Sequence, residues 1–90
     1  MFQLIYTKRF QKDIKLLQKR GYNLDVLKKA IETLEKDGSL PVLNKPHKLS
    51  GDFIGFMEAH LRADWLLIWK IFPEENEIWL TRTGTHSDLF

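Results

Sequence analysis

The sequence predicts an α+β fold with the element order β-α-α-β-β-β, in which a helical hairpin packs on one face of an antiparallel sheet. Two consecutive segments before residue 39 repeat apolar residues at helical spacing, and three apolar or alternating segments follow residue 51. The turns between those last three segments are short, which favours strands that run in alternating directions. A chain of 90 residues has room for one core, so we expect a single domain over residues 1–90.

The first strand and the two helices follow from composition and spacing. The stretch FQLIYT, which begins at Phe2, is aromatic and β-branched and therefore favours a strand. Thr7 can then cap a helix over KRFQKDIKLLQK, because apolar residues recur there at intervals of three and four. Asn23 can cap a second helix, which the pair Asp37–Gly38 ends. A short turn joins the two helices, so we expect a hairpin.

Three more strands are predicted after the loop SLPVLNKPHKLSG, whose two prolines break any period. DFIGFMEAHL alternates, so that Ile54, Phe56, Glu58 and His60 would share one face of a strand. WLLIWKIF is apolar almost throughout, which is typical of a central strand covered on both faces. The turn PEEN leads into the last strand, EIWLTRT. Short turns between consecutive strands predict a meander.

Charge is distributed unevenly along the chain. Residues 1–36 carry nine Lys or Arg against four Asp or Glu, a net charge of +5, whereas residues 37–90 carry five against eight, a net charge of −3. The basic half attracts a polyanion such as RNA or an acidic protein segment, although Lys-rich helices also serve solubility alone. Without cysteine there is neither a disulfide nor a thiolate metal site. No signal peptide or membrane span is evident, so we expect a cytoplasmic protein without membrane contact.

All three histidines, His47, His60 and His86, follow residue 46 and lie near predicted loops or strand ends. Asp64 follows His60 by four residues, and Arg82 precedes His86 by four. Because alternate strand ends meet at one edge of an antiparallel sheet, we expect His60, Asp64, Arg82 and His86 around one concavity. Such a set suits cleavage of RNA by its own 2′-hydroxyl, in which histidines transfer protons and an arginine stabilises the phosphate.

Each of these residues also has a purely structural interpretation. A histidine on a strand is often only hydrogen-bonded, and His47 in a loop can simply be solvated. Arg82 can pair with Glu58 or Asp64, and Asp64 is common at a turn for backbone reasons. The tryptophans suit a core or a sheet face, although an exposed one could stack on a base. The histidine spacing lacks a metal-binding pattern, so we expect no metal.

Several spaced polar residues resemble those of a known family. Over HKLSGDFIGFMEAHLRADWLLIWKI and RTGTHSDLF the chain is similar to the RelE/ParE superfamily of bacterial toxins, and within it to the YafQ-like branch. The shared features include the unit Glu58-Ala59-His60, the pair Asp64-Trp65 and the closing Arg-Thr-Gly-Thr-His. The N-terminal helices match more loosely. The resemblance covers nearly the whole chain and implies a RelE-like microbial RNase fold.

The resemblance implies an mRNA interferase, the toxin of a type II toxin–antitoxin system, which cuts mRNA in the ribosomal A site without metal or cofactor. It assigns His86 as general acid, leaves the base open between Asp64 and His60, and gives Arg82 the phosphate. It further assigns His47 and the aromatic Phe90 to the site and Glu58 to a supporting contact, and it suggests that rRNA meets the basic helix residues Lys12, Lys15 and Lys19.

The implied partners are mRNA, the ribosome and a cognate antitoxin that holds the toxin inactive. We expect a monomer when the protein is free and a hetero-oligomer with the antitoxin. A relative of the same architecture without nuclease activity remains the alternative, either a gyrase-inhibiting toxin or a nucleic-acid-binding module.

The last nine residues carry a separate expectation. Gly84 would let the chain turn after the last strand, so that His86 is held over the phosphate and Phe90 packs beneath it. We therefore expect this segment to pack against the edge of the sheet.

Overall fold

The computed structural model describes residues 1–90, which form one five-stranded sheet and three helices. The strands are β1 (Gln3–Tyr6), β2 (His47–Lys48), β3 (Met57–Arg62), β4 (Trp65–Phe72) and β5 (Glu77–Gly84), and the helices are α1 (Lys8–Lys19), α2 (Leu24–Asp37) and α3 (His86–Leu89). The predicted α+β class, the helical hairpin and the antiparallel meander β3-β4-β5 are confirmed. None of the helices has the length and apolar character that a bilayer crossing requires.

The helices begin and end where their sequence signals predict. The Thr7 side chain accepts a hydrogen bond from the Phe10 amide at 3.1 Å, and that of Asn23 accepts one from the Asp25 amide at 3.1 Å. Gly38 ends α2 with a φ of 74°, a conformation that only glycine adopts without strain. The apolar faces of α1 and α2 pack on one face of the sheet and form the main core.

The sheet is mixed, which corrects the expectation of an antiparallel one. Its order is β1-β5-β4-β3-β2, and β1 pairs parallel with β5 while the remaining pairs are antiparallel. A parallel neighbour requires a long crossover connection, and here everything between β1 and β5 provides it. Sequence alternation does not reveal which earlier strand joins the edge of a meander.

The face of the sheet opposite α1 and α2 is here called the open face. It carries a second, smaller core in which Leu66 and Ile68 of β4 pack with Leu89 of α3. Partly buried residues of the loop before β3 cover this core, namely Leu49, Phe53 and Phe56. The open face therefore receives its cover from the loop and from the C-terminal helix.

The strand predicted over DFIGFMEAHL corresponds to β3, and it is shorter than predicted because the chain turns twice before Met57. Residues Gly51–Phe53 form a 3-10 turn, and Gly51 and Gly55 adopt left-handed φ values of 67° and 92°. As a result, Ile54 projects into solvent instead of alternating along the strand. Glu58 and His60 do share the open face as expected.

Candidate active site

The three histidines form a row on the open face of the sheet. The ring of His60 lies between the other two, with centroid distances of 6.3 Å to His47 and 6.2 Å to His86. The strand register explains this row. His47 of β2 pairs with Glu58, two residues before His60, while Leu66 pairs with both His60 and Gly84, just before α3 begins. The structure thus brings together three predicted site residues that are far apart in the chain.

Asp64, in the turn between β3 and β4, fixes the orientation of His86. Its Oδ1 lies 2.6 Å from Nδ1 of the His86 ring and also accepts the backbone amide of His86 at 3.0 Å. A carboxylate accepts hydrogen bonds, so Nδ1 carries a proton and Nε2 faces away from Asp64. No protein group hydrogen-bonds to this Nε2, and the ring is more than half exposed. His86 therefore presents one free nitrogen to a ligand.

The same contacts keep Asp64 charged. The backbone hydrogen bond from His86, followed by that from its ring, lowers the pKa of the Asp64 carboxyl below its ordinary value of 3.8. A carboxylate with a lowered pKa that is already bound to two donors is a poor proton acceptor near neutral pH. Its geometry suits orientation of the imidazole and stabilisation of its protonated form.

His47 has both ring nitrogens engaged. Its Nδ1 lies 2.9 Å from the carbonyl oxygen of Lys45, which can only accept, so this nitrogen carries a proton. Its Nε2 lies 3.1 Å from Oε1 of Glu58, whose side chain is only 7% exposed. This contact, an ion pair when the imidazole is protonated, is the one polar side-chain contact of the buried Glu58 carboxyl. In this arrangement His47 has no nitrogen free to accept a proton.

His60, in the middle of the row, is the histidine whose ring has no hydrogen-bond partner in the protein. Only its backbone is held, since the Asn44 side-chain amide donates to the His60 carbonyl at 2.9 Å. The ring is partly buried between the neighbouring imidazoles. Both of its nitrogens are therefore available to a ligand.

Arg82 does not join this row. Its guanidinium forms a two-pronged pair with Asp13 of α1, with Nε 2.8 Å from Oδ2 and Nη2 3.2 Å from Oδ1. The two side chains are only 12% and 11% exposed, and the same carboxylate accepts the Thr83 amide at 3.1 Å. The partner of Arg82 is thus neither Glu58 nor Asp64. The arginine joins the last strand to α1 instead of pointing at the imidazoles.

A second ion pair holds the helix that carries His86. Arg20, the C-cap of α1, contacts the carboxylate of Asp88 through both terminal nitrogens, at 2.7 and 3.0 Å. Asp88 also accepts the Thr85 amide while the Thr85 hydroxyl accepts the Asp88 amide, a reciprocal capping box. These contacts, that with Arg20 first, lower the pKa of Asp88 far below its ordinary range. A helix of four residues is not stable alone, so α3 depends on this contact with α1.

Close packing at Gly84 tightens the same turn. Its φ is 154°, and a Cβ atom built there would lie 2.8 Å from Oδ2 of Asp88. Gly84 is the last paired residue of β5 and the chain leaves the sheet after it at Thr85, so the lack of a side chain at Gly84 is what lets Asp88 approach.

The C-terminal segment packs on the open face of the sheet and not, as expected, against its edge. Leu89 is buried in the second core, whereas the ring of Phe90 is exposed and meets Phe53 edge-on at a centroid distance of 5.4 Å. The last two residues thus differ in kind, because Leu89 contributes to packing and Phe90 leaves one ring face accessible.

The predicted basic residues of α1 are all exposed and share one face of the helix, since Lys12, Lys15 and Lys19 follow one another at intervals of three and four residues. Lys12 and Lys19 immediately precede Asp13 and Arg20, which contact the C-terminal segment. Since successive helix residues are about 100° apart, Lys12 and Lys19 border the candidate site. Lys15 is three residues from Lys12 and four from Lys19, so it lies beside both on the same face of the helix.

Sequence analysis missed Asp13, which holds Arg82 and Thr83 of β5, and the pair Arg20–Asp88, which anchors α3. Two signals were present. Asp13 is the sole acidic residue in an otherwise basic helix, and Thr85-x-x-Asp88 matches the spacing of a capping box. No group of three or more His, Asp or Glu side chains has an arrangement that could hold a metal ion.

Comparison with known proteins places this geometry in a family. The family model described as the bacterial toxin of the type II toxin–antitoxin system, YafQ, matches residues 2–90. The mRNA interferase toxin YafQ of Escherichia coli K12 is 37% identical over 86 residues, which cover 94% of this chain and 91% of that protein.

Two solved structures are similar over the entire chain. YafQ from E. coli BL21(DE3) has a TM-score of 0.91 and 34% identity, and the match covers 100% of this chain and 99% of that one. The toxin in the E. coli DinJ–YafQ complex has a TM-score of 0.89 and 35% identity over the same shares.

Proposed function

Since this chain belongs to the YafQ family of bacterial toxins of type II toxin–antitoxin systems, we propose that it is an endoribonuclease that cuts mRNA. The observation that carries the proposal is the row His47-His60-His86, in which Asp64 fixes one ring and leaves its outer nitrogen free. In cleavage by the 2′-hydroxyl, RNA supplies the nucleophile, so the protein needs one proton acceptor, one proton donor and groups that hold the phosphate.

We assign the proton acceptor to His60. The His60 ring has no hydrogen bond within the protein. Asp64, in contrast, has a lowered pKa and already accepts two hydrogen bonds from His86. Both ring nitrogens of His47 contact oxygens of the protein. The sequence left the choice between His60 and Asp64 open, and these contacts support His60. A neutral imidazole can take the proton from the 2′-oxygen as that oxygen attacks the phosphorus.

His86 donates the proton to the departing 5′-oxygen. Asp64 holds Nδ1 protonated, so the outer Nε2 carries the second proton when the ring is charged and releases it to the leaving group. This arrangement, a carboxylate behind an imidazole, orients the ring and stabilises the imidazolium. Its position on α3 depends on the contacts of Asp88 with Arg20.

We assign His47 and Glu58 to binding of the RNA and not to proton transfer. Glu58 holds His47 in place beneath the RNA strand. The supporting contact of Glu58 is therefore with His47, whereas the sequence analysis suggested His60. Arg82 is assigned to structure because Asp13 binds two of the three nitrogens of its guanidinium. No metal or cofactor is required in this scheme, since side chains fill every proton-transfer role.

The cellular setting follows from the relatives. The E. coli protein is named an mRNA interferase, and its complex with DinJ is a toxin–antitoxin complex. We propose that this chain acts on mRNA in the ribosomal A site and is held inactive by a cognate antitoxin. The exposed lysines that share one face of α1, Lys12, Lys15 and Lys19, are suited to rRNA phosphates.

A change of leaving group tests the assignment of acid and base. The substrate is a short mRNA on programmed ribosomes in which sulfur replaces the bridging 5′-oxygen at the cleaved bond. A thiolate leaves without a proton, so this substrate should restore cleavage to His86→Ala and leave His60→Ala inactive. His47→Gln, as the matched control, should behave equally with oxygen and sulfur. Restoration of His60→Ala instead of His86→Ala would reverse the assignment.

Expression in cells separates the proposal from its alternative. Wild-type protein should stop growth with codon-spaced cuts in mRNA, and His86→Ala should abolish both. DNA damage with intact mRNA would point to gyrase inhibition, and binding without cuts would point to a nucleic-acid-binding module.

A further inference from the structure

An unbroken series of aromatic rings and one lysine crosses the open face, from the C-terminus to the far end of the sheet. Phe90 meets Phe53 at 5.4 Å between ring centroids, and Phe53 meets Phe56 at 5.9 Å. The Lys70 ammonium then lies 5.2 Å from the centroids of both Phe56 and Phe72. We call this series, which Trp79 completes, the aromatic track.

The far end of the aromatic track is built by β4 and β5. Lys70 and Phe72 follow Leu66 and Ile68 at intervals of two on β4, so they share the open face. Lys70 pairs with Trp79 across the strands, and the Phe72 and Trp79 rings lie 5.4 Å apart. This end of the aromatic track therefore lies on the same face of the sheet as the histidine row.

Trp79 is unlike the other two tryptophans of the sheet, and an unpaired cation, Lys70, lies opposite it on β4. Trp65 and Trp69 are buried in the main core, whereas Trp79 is 40% exposed and its indole nitrogen is held by Glu77 at 3.2 Å. Lys70 forms no ion pair, since none of the four salt bridges of the chain includes it. An indole face and an unpaired ammonium thus stand side by side, both open to a ligand.

We propose that Trp79, Phe72 and Lys70 form a nucleotide-binding subsite for single-stranded RNA, at a distance from the cleaved bond. Aromatic faces stack on unpaired bases, and an ammonium between them can contact the linking phosphate. The subsite rests on the proposed function, because the occupant is the same RNA strand that reaches the histidines. Leu66 pairs with His60 and Lys70 lies four residues further, about 13 Å along β4, a distance that a few nucleotides span.

The cation of Lys70, which lies among the rings, favours RNA over an apolar protein segment at this subsite, and Glu77 is the acidic neighbour that holds the Trp79 indole. The ring faces are interrupted by an unpaired cation, which an apolar helix would have to desolvate without compensation. A single-stranded RNA supplies both a base for the ring and a phosphate for the ammonium.

The test is binding of a short RNA whose 2′-hydroxyl is replaced by hydrogen at the cleaved bond, so that no cleavage occurs. Trp79 is the exposed tryptophan, so its fluorescence should be quenched by the RNA. Stacking contributes about 1 to 3 kcal/mol per base, so Trp79→Ala should weaken binding roughly 5- to 150-fold. Tyr6→Ala is the matched control, because Tyr6 is 44% exposed and lies on β1, away from the aromatic track. It should change binding less than about twofold.

Lys70→Gln provides a second variant that leaves the rings in place. It should lower the slope of log affinity against log salt concentration by about 1, as expected for one lost phosphate contact. Circular dichroism and thermal unfolding confirm that each variant is folded. Unquenched fluorescence with RNA, or equal RNA affinity of wild type and both folded variants, would overturn the subsite.

The outcome is distinguishable from failure of the proposed function. Trp79-dependent binding of an RNA that is never cut, on or off the ribosome, would keep the subsite and reject the nuclease. Cleavage that requires His86 but is indifferent to Trp79 would keep the nuclease and reject the subsite.

Discussion

Replacement of Arg82 by methionine distinguishes a structural role from a catalytic one. Methionine keeps much of the length of the side chain and removes both hydrogen bonds to Asp13. The carboxylate would then retain only the Thr83 amide as a donor in a site where it is 11% exposed. We expect the folded state to lose stability because an almost buried charge loses its partner.

The size of the effect follows from the two bonds that are lost. A hydrogen bond between charged groups contributes about 1.5 to 3 kcal/mol, and the slight exposure of the pair favours the lower value. The free energy of unfolding should therefore fall by about 3 kcal/mol. Because 1 kcal/mol shifts the Tm of a domain of this size by about 4 to 8 °C, the Tm should fall by roughly 12 to 24 °C.

Urea and thermal unfolding measure the stability, and mRNA cleavage well below the lowered Tm measures the activity. The double variant Asp13→Asn with Arg82→Met removes the orphaned charge, so it should be less destabilised than the sum of the single variants. If Arg82 instead contacts the phosphate in the transition state, Arg82→Met should cleave about 100- to 1,000-fold more slowly with almost unchanged stability. That result would refute the structural assignment.

Three further predictions concern the C-terminal helix and the basic face. Acid should destabilise the protein through Asp88, because the pKa of this carboxyl is lower in the folded protein than its ordinary value of 3.8. The resulting stability is present above pH 3.8 and is lost as the pH falls toward the lowered pKa. The free energy of unfolding in urea should therefore vary less between about pH 5 and pH 2 for Asp88→Asn than for the wild type. Leu89→Ala should lower the free energy of unfolding by about 2 to 4 kcal/mol, whereas deletion of Phe90 alone should leave stability within about 1 kcal/mol and reduce cleavage. Ribosome binding should lose about 3 from its salt slope in the triple variant Lys12→Gln, Lys15→Gln and Lys19→Gln, because the three lysines share one helix face; an unchanged slope would contradict a contact of this face with rRNA.

Local patterns account for most of the fold. The α1 and α2 helices have caps at Thr7 and Asn23 and apolar residues at helical spacing, and β4 is an apolar run between turn residues. These signals lie within single segments, so the sequence alone reveals them. The predicted gathering of the histidines also rested on a local property, the alternation of strand direction in a meander.

Contacts between distant segments could not be predicted in the same way. Arg82 and Asp13 are 69 residues apart, and Arg20 and Asp88 are 68 apart. Charge alone allowed Arg82 several acidic partners, and only the parallel position of β1 brings α1 alongside the end of β5. The start of β3 at Met57 likewise depended on left-handed glycines, which the alternating pattern concealed.

The parallel pairing of β1 with β5 has a practical consequence for handling the protein. Gln3 lies opposite Glu77, so the N-terminus emerges where the last strand begins, while the C-terminus emerges beside the imidazoles at its other end. The two ends of β5 are roughly 23 Å apart along the strand. An affinity handle or fluorescent fusion should therefore be attached ahead of Met1, because an extension after Phe90 would crowd the candidate active site.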